Sequence, residues 1–163
     1  MSESVASRPR LNIRALIEAR PTLGNLLDLC DENYRLLLRI APTLPQLRGH
    51  HLSSVAGQLD LHLEVEAQTP YTSLIRLTYR LPGEGDAVVD PAALLRVYHD
   101  ARLLELLEFR QSSPQFDFCC NVSTLQHKWR VNLFLAKWLA YSYRLGHRFE
   151  CQAARLTDWL NKY

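Results

Sequence analysis

Two adjoining segments of this chain alternate apolar and polar residues with period two, and that pattern restricts the fold most. In 58–67, Leu59, Leu61, Leu63, Val65 and Ala67 fall on one side and Gln58, Asp60, His62, Glu64 and Glu66 on the other. In 71–81, Tyr71, Ser73, Ile75, Leu77, Tyr79 and Leu81 alternate with Thr72, Leu74, Arg76, Thr78 and Arg80. Successive side chains of a strand point to opposite faces, so each segment reads as a half-buried strand and the two as an antiparallel pair. A connection through Gln68-Thr69-Pro70 sets Ala67 opposite Tyr71, Leu63 opposite Ile75 and His62 opposite Arg76, with Asp60 and Glu64 diagonal to Arg76. The wet face is then a ladder of charges. It is either simply solvated or a receptor for an anion through Arg76 and Arg80.

Helices flank these strands. Residues 22–41 carry Leu26, Leu29, Cys30, Asn33, Leu36, Leu37 and Ile40 at the spacing of one helical face, with Thr22 as cap and Pro42 just beyond. Asn33 therefore points inward among leucines and is expected to tie the helix to a neighbouring backbone, since a buried amide is normally paired. Residues 124–145 form a second, long helix stopped by Gly146. Its inner face is Val131, Phe134, Leu135, Trp138, Leu139, Ser142 and Leu145, and Arg130, Lys137 and Arg144 make a solvated basic stripe opposite. A short helix is expected in Leu11–Ala19, ended by Pro21, after a tail over residues 1–10. A last short helix is expected in 148–163, where Leu156, Trp159, Leu160 and Tyr163 recur at helical spacing.

Residues 90–109 are ambiguous. Asp90-Pro91 resembles a helix cap followed by a first helical residue, ahead of good helix formers. The same stretch also fits two strands, 93–99 and 102–110, turning at Asp100-Ala101. That register faces Arg96 to Glu105, Val97 to Leu104 and Leu95 to Leu106. Asp-Ala lacks the glycine of a tight hairpin turn. Residues 42–57, with Pro42, Pro45, Gly49 and Gly57, read as a loop, as do Pro82–Asp86 and 111–123, the latter with a short edge strand through Phe116–Phe118.

The chain has 163 residues, 47% of them apolar and 22% charged, which describes one folded domain that needs no disulfide or metal to hold it. The expected body is 21–147, between terminal tails 1–20 and 148–163. A net charge of +2 is too small for a nucleic-acid footprint. Cys30, Cys119, Cys120 and Cys151 form no C-x-x-C pair and read as free thiols, and no apolar run approaches a membrane span, so a cytoplasmic address is expected. The His50-His51 pair has no second ligand pair, so no metal is expected there.

The combination of Asn33-Tyr34, Tyr71-Thr72, Val97-Tyr98-His99-Asp100-Ala101-Arg102 with Glu105, and Lys128, Asn132, Phe134-Leu135 and Trp138-Leu139 resembles the YqiB-like family of small bacterial proteins. The resemblance covers Leu26 to Gly146. It implies the hairpin in 93–109 and a cytoplasmic protein without an assigned activity. One departure is Gln126-His127, where the family tends to carry an acidic pair.

The fold class expected is α+β: an antiparallel meander of about four strands, 58–67, 71–81, 93–99 and 102–110, with the helices 22–41 and 124–145 on one face. Tyr98, His99, Asp100 and Arg102 hold the parts of an acid–base site, but strand alternation sends His99 and Asp100 to opposite faces. No serine has an activating partner, no glycine loop cradles phosphate and no carboxylate cluster suits magnesium. No catalytic residue or cofactor is therefore expected. The leading expectation is a non-enzymatic adaptor or regulator that binds a partner protein. The alternative is a binder of a small anionic metabolite or nucleotide through Arg76, Tyr98, His99 and Arg102.

Overall fold

A computed structural model of the chain describes residues 13–81, 88–111 and 124–150. The expected loop at Pro82–Asp86, the Phe116–Phe118 edge strand, Cys119, Cys120 and Cys151, residues 1–12 of the N-terminal tail and residues 151–163 of the C-terminal one lie outside the described residues.

Helix α1 spans Ile13–Glu18 and α2 spans Leu23–Ile40. The Thr22 hydroxyl accepts from the Asn25 backbone N–H at 3.1 Å, so the expected cap is made. The inward stripe of α2 is Leu26, Leu29, Asn33, Leu36, Leu37 and Ile40, joined by Tyr34. Helix α3 spans Leu125–Arg144 and is capped by Thr124, whose hydroxyl accepts from the His127 N–H at 3.2 Å. At its other end Gly146 takes φ +94°, His147 N–H bonds Ser142 C=O and Gly146 N–H bonds Tyr143 C=O. This paired closure needs a left-handed residue, which glycine adopts without a Cβ clash. Arg130, Lys137 and Arg144 are all exposed, as the stripe reading requires.

The sheet has five strands, one more than expected, in the order β1-β2-β3-β4-β5, and every neighbouring pair is antiparallel. The strands are β1 Gly49–Ser53, β2 Leu61–Gln68, β3 Thr72–Leu81, β4 Val88–Tyr98 and β5 Leu103–Arg110. Strand β1 corrects the loop expected across 42–57. Its sequence, GHHLS, sends only His51 and Ser53 toward the core side, so it has no apolar alternation to read. It forms because β2 would otherwise leave a row of backbone groups unpaired. A short 3-10 turn, Leu44–Gln46, precedes it.

The β2–β3 register differs from the expected one by two residues. His62 stands opposite Thr78 rather than Arg76, Leu63 opposite Leu77, and Arg76 opposite Glu64. The turn is the cause. Thr69 and Thr72 close it, with Thr69 N–H to Thr72 C=O at 2.8 Å, leaving Pro70 and Tyr71 at its tip. A bulge at Glu66 completes the shift. An even slip returns the side chains of 61–65 to their expected faces, but the bulge moves Ala67 to the outer face opposite Leu74 and the turn leaves Tyr71 exposed, which corrects the core side expected for both.

The hairpin reading of 93–109 holds, with Arg96 opposite Glu105, Val97 opposite Leu104 and Leu95 opposite Leu106. Asp90-Pro91 is not a helix start but part of β4. Its place in a central strand is tolerated because the ladder to β3 skips it, passing from Thr78–Ala92 to Arg80–Val89, and β5 reaches only Ala92. The loop is His99–Arg102, with the single left-handed residue at Arg102 (φ +56°), so Asp100-Ala101 needs no glycine.

Both long helices cover one face of the sheet. Leu61, Leu63, Ile75, Leu77, Ala93, Leu95, Val97, Leu104 and Phe109 meet Leu29, Leu37, Ile40, Leu135, Trp138 and Leu139 in one core. The fold class is α+β. At one end of the core Tyr79 Oη and Ser142 Oγ are 2.8 Å apart, and the buried Ser53 Oγ lies 3.1 Å from His147 Nδ1. Phe149 N–H then bonds Ile40 C=O at 2.7 Å, and its ring is buried. The chain after α3 is thus stitched to both α2 and β1. Among the described residues no helix is long and apolar enough to cross a membrane.

Candidate functional site

The four residues expected to form a site are distributed by the fold over separate places. Arg76 lies mid-strand on the outer face and donates from Nε to Glu66 Oε1 at 2.7 Å. Tyr98 ends β4 on the same face, opposite Thr72, roughly 13 Å along the strand from the Arg76 row. Its hydroxyl donates to Glu105 Oε2 at 3.0 Å. Among the described residues no ion pair joins Arg96 to Glu105, although the two stand opposite each other. His99 turns the other way. Its Nε2 lies 2.8 Å from Ser73 Oγ and its ring meets Tyr34 edge-on at 6.3 Å. Burial pushes its pKa below the usual histidine value, and the nearby Asp100 only partly offsets this. Asp100 accepts from the Ala101 N–H at 2.8 Å, a turn contact. Arg102 is exposed at the loop tip.

A shallow hollow of about 80 Å³ on the outer face gathers His50, His62, Glu64, Arg76, Thr78 and Arg80. His50 Nε2 and His62 Nδ1 are 2.9 Å apart. The His62 pKa is lowered by burial first and then by the charges of Arg80 and His50. His51 points away from this hollow and meets the Arg48 carbonyl at 2.9 Å. Among the described residues no group of three histidine, cysteine or acidic side chains is placed to hold a metal ion.

A larger cleft, about 260 Å³, opens where α2, α3 and β5 meet. Helix α2 contributes Leu26, Leu27 and Cys30, helix α3 contributes Lys128, Val131 and Asn132, and the sheet contributes Tyr98 and Leu103, Leu104, Glu105 and Leu106. The lining is mostly apolar, with a few polar groups converging on it, which is the ordinary make-up of a binding cleft. Asn132 is held by its Nδ2 on the Lys128 carbonyl at 2.9 Å, and its Oδ1 faces the Cys30 thiol at 4.0 Å. Burial, with the Glu105 charge adding to it and Lys128 opposing, pushes the Cys30 thiol up to about 11. It is therefore a protonated wall of the cleft and no nucleophile at neutral pH.

Of the expected residues only Tyr98 borders this cleft. Sequence reasoning passed over Leu27, which stands off the inward stripe of α2. Leu23 and Leu27 lie one turn apart on that helix and are 67% and 49% exposed. Two leucines outside the buried stripe were the available signal. Leu125, one turn before Lys128 on α3, is exposed as well.

Nothing among curated proteins or solved structures matches the chain. Residues 36–148, from the last five residues of α2 through the whole sheet and α3, match the family described as protein of unknown function (DUF1249), and the chain belongs to that family.

Proposed function

We propose that the chain is a non-enzymatic adaptor or regulator that holds a partner protein in the cleft between α2, α3 and β5. One observation supports this above the others: the apolar lining does not stop at the mouth. It continues through Leu27 to Leu23 on α2, and Leu125 stands beside Lys128 on α3. Apolar surface that spreads out of a concavity and is rimmed by polar residues suits a macromolecule better than a small ligand. A kinship with the YqiB-like bacterial proteins and a cytoplasmic address belong to the same proposal.

The test is a photo-crosslinking side chain placed at Leu27, with Tyr141, an exposed aromatic on α3 outside the cleft, as control. In native lysate the Leu27 probe is expected to capture one stoichiometric protein that excess unlabelled chain displaces, and the Tyr141 probe none. Capture of nothing, or equal capture from both positions, defeats the proposal.

The second reading, a small anionic metabolite or nucleotide, has its support at Tyr98 and at the exposed Lys128 on the rim. A thermal-shift screen separates the readings. A nucleotide present at 100 times its Kd stabilises a fold by about 2.7 kcal/mol; no shift with any anion leaves the partner-protein reading standing alone.

A further inference from the structure

We propose that the hollow on the outer face of the sheet binds a small tetrahedral oxyanion, sulfate or a phosphate group, and takes up one proton with it. The hollow shares no residue with the cleft, so this inference stands apart from the partner reading. Its floor is the buried Thr78 and, opposite it on β2, the half-buried His62. His50 reaches in from β1, Glu64 and Arg76 close one end, and Arg80 closes the other. At about 80 Å³ the hollow falls well below the roughly 300–1,000 Å³ of sites that enclose a whole small molecule, so it receives one compact group.

The donors decide the sign of that group. Arg80 is exposed and makes no ion pair among the described residues. Arg76 is held by Glu66 through Nε, which leaves its other guanidinium nitrogens as donors. Two guanidinium groups beside the histidines repel a metal ion, and among the described residues no third ligand joins the pair. The histidines supply the proton. His50 Nε2 and His62 Nδ1 are 2.9 Å apart, a bond that needs one donor and one acceptor. A single added proton leaves that bond intact and puts an N–H on the remaining nitrogen of each ring. A second proton would break it, so the pair titrates first as a unit. Around the pair, Arg76 and Arg80 are balanced by Glu64 and Glu66, and Asp60 acts on His62 from just before β2. The hollow therefore gains its positive charge only when the pair takes up its proton. Burial, Arg80 and His50 hold His62 below the ordinary histidine pKa. A bound anion offsets Arg80 and favours the protonated ring, so proton and anion bind together.

Sulfate is the probe, because its charge does not change between pH 5 and pH 8, with chloride at matched ionic strength as control. NMR follows the histidine ring resonances of the full chain. Saturating sulfate is expected to raise the His62 midpoint by about one pH unit, which by linkage is sulfate binding about tenfold tighter to the protonated pair. His51, turned to the other face, does not follow. Arg80→Gln, at an exposed residue, abolishes the sulfate effect, and Lys128→Gln on the cleft rim leaves it intact. Phenyl phosphate in place of sulfate separates the sources of the group. Tighter binding that Arg80→Gln again removes marks the end of a larger molecule, and binding no tighter than sulfate marks the free oxyanion. A His62 midpoint that sulfate leaves unmoved overturns the inference, as does an equal shift in Arg80→Gln, which is screening alone. Zinc chloride that captures both rings ahead of sulfate overturns it as well, since the hollow is then a cation site. None of these outcomes bears on the Leu27 crosslink.

Discussion

Asn33, in the middle of α2, donates from Nδ2 to the main-chain carbonyl of Asn132 in α3 at 3.1 Å. The same nitrogen lies 3.4 Å from Asn132 Oδ1, while Asn33 Oδ1 has no partner among the described residues. Asn132 also lines the cleft, so one buried amide fixes the distance between the two helices that form its walls.

Asn33→Ala is therefore expected to lower unfolding free energy by about 1–3 kcal/mol, the range for a lost buried hydrogen bond. Asn33→Asp should cost more, and its excess should grow as pH rises and the buried carboxyl is forced to ionise. Urea unfolding at pH 5 and pH 7 reads both effects. An unchanged midpoint in Asn33→Ala would show that packing alone spaces the helices.

His147 is almost fully buried, and burial pushes its pKa below the ordinary value of 6.5 although Ser53 and Asp60 work against this. The unfolded chain then binds a proton that the folded chain resists. Stability should fall as pH drops through 6.5 and level off below the folded pKa. His99 and His62 shift in the same direction and add to the slope. Thermal unfolding between pH 8 and pH 5 should show the loss, and His147→Phe should make the profile shallower. Stability that rises on acidification would contradict the neutral, buried state.

Arg102 holds a left-handed backbone at the hairpin tip, at φ +56°. Glycine adopts that conformation freely, and a β-branched residue adopts it with difficulty. Arg102→Gly should gain up to about 1 kcal/mol after the added chain entropy of the unfolded state is counted, and Arg102→Val should lose stability. Differential scanning calorimetry orders the three. A destabilised glycine variant would mean that the arginine side chain contributes more than its backbone strain costs.

Cys30, with its thiol near 11, should alkylate slowly in the folded chain. The rate should climb roughly tenfold per pH unit through pH 9 with no plateau, because only the thiolate reacts. Peptide mapping by mass spectrometry separates Cys30 from Cys119, Cys120 and Cys151. A plateau near neutral pH would instead mark an activated thiol.

The sheet's faces were readable in the chain because alternation depends only on parity. Leu61, Leu63, Ile75, Leu77 and Leu95 are buried as the pattern requires. The hairpin register was readable too, since Arg96–Glu105, Val97–Leu104 and Leu95–Leu106 match in chemistry across a short loop. The β2–β3 register was not, because a slip of two residues leaves the faces of 61–65 unchanged and only the Thr69–Thr72 turn and the bulge at Glu66, beyond which Ala67 changes face, record it. Strand β1 escaped notice because its inward residues are His51 and Ser53, which carry no hydrophobic signal.

By itself the sequence determined the local geometry: the caps at Thr22 and Thr124, the left-handed stop at Gly146, the helical stripes and the parity of the strands that alternate. These are decided by residues within a few positions of one another, where backbone sterics and side-chain spacing act directly. Tertiary structure alone decided which distant groups meet: Asn33 with Asn132, Ser53 with His147, and the leucines of α2 with β5. Those meetings depend on how α2 and α3 lie across the twisted sheet, a position set by the packing of the whole core and by no single segment of it. For the same reason Tyr98, His99 and Arg102, neighbours in the chain, end on different sides of the fold, and the cleft is built mainly from residues far apart in sequence.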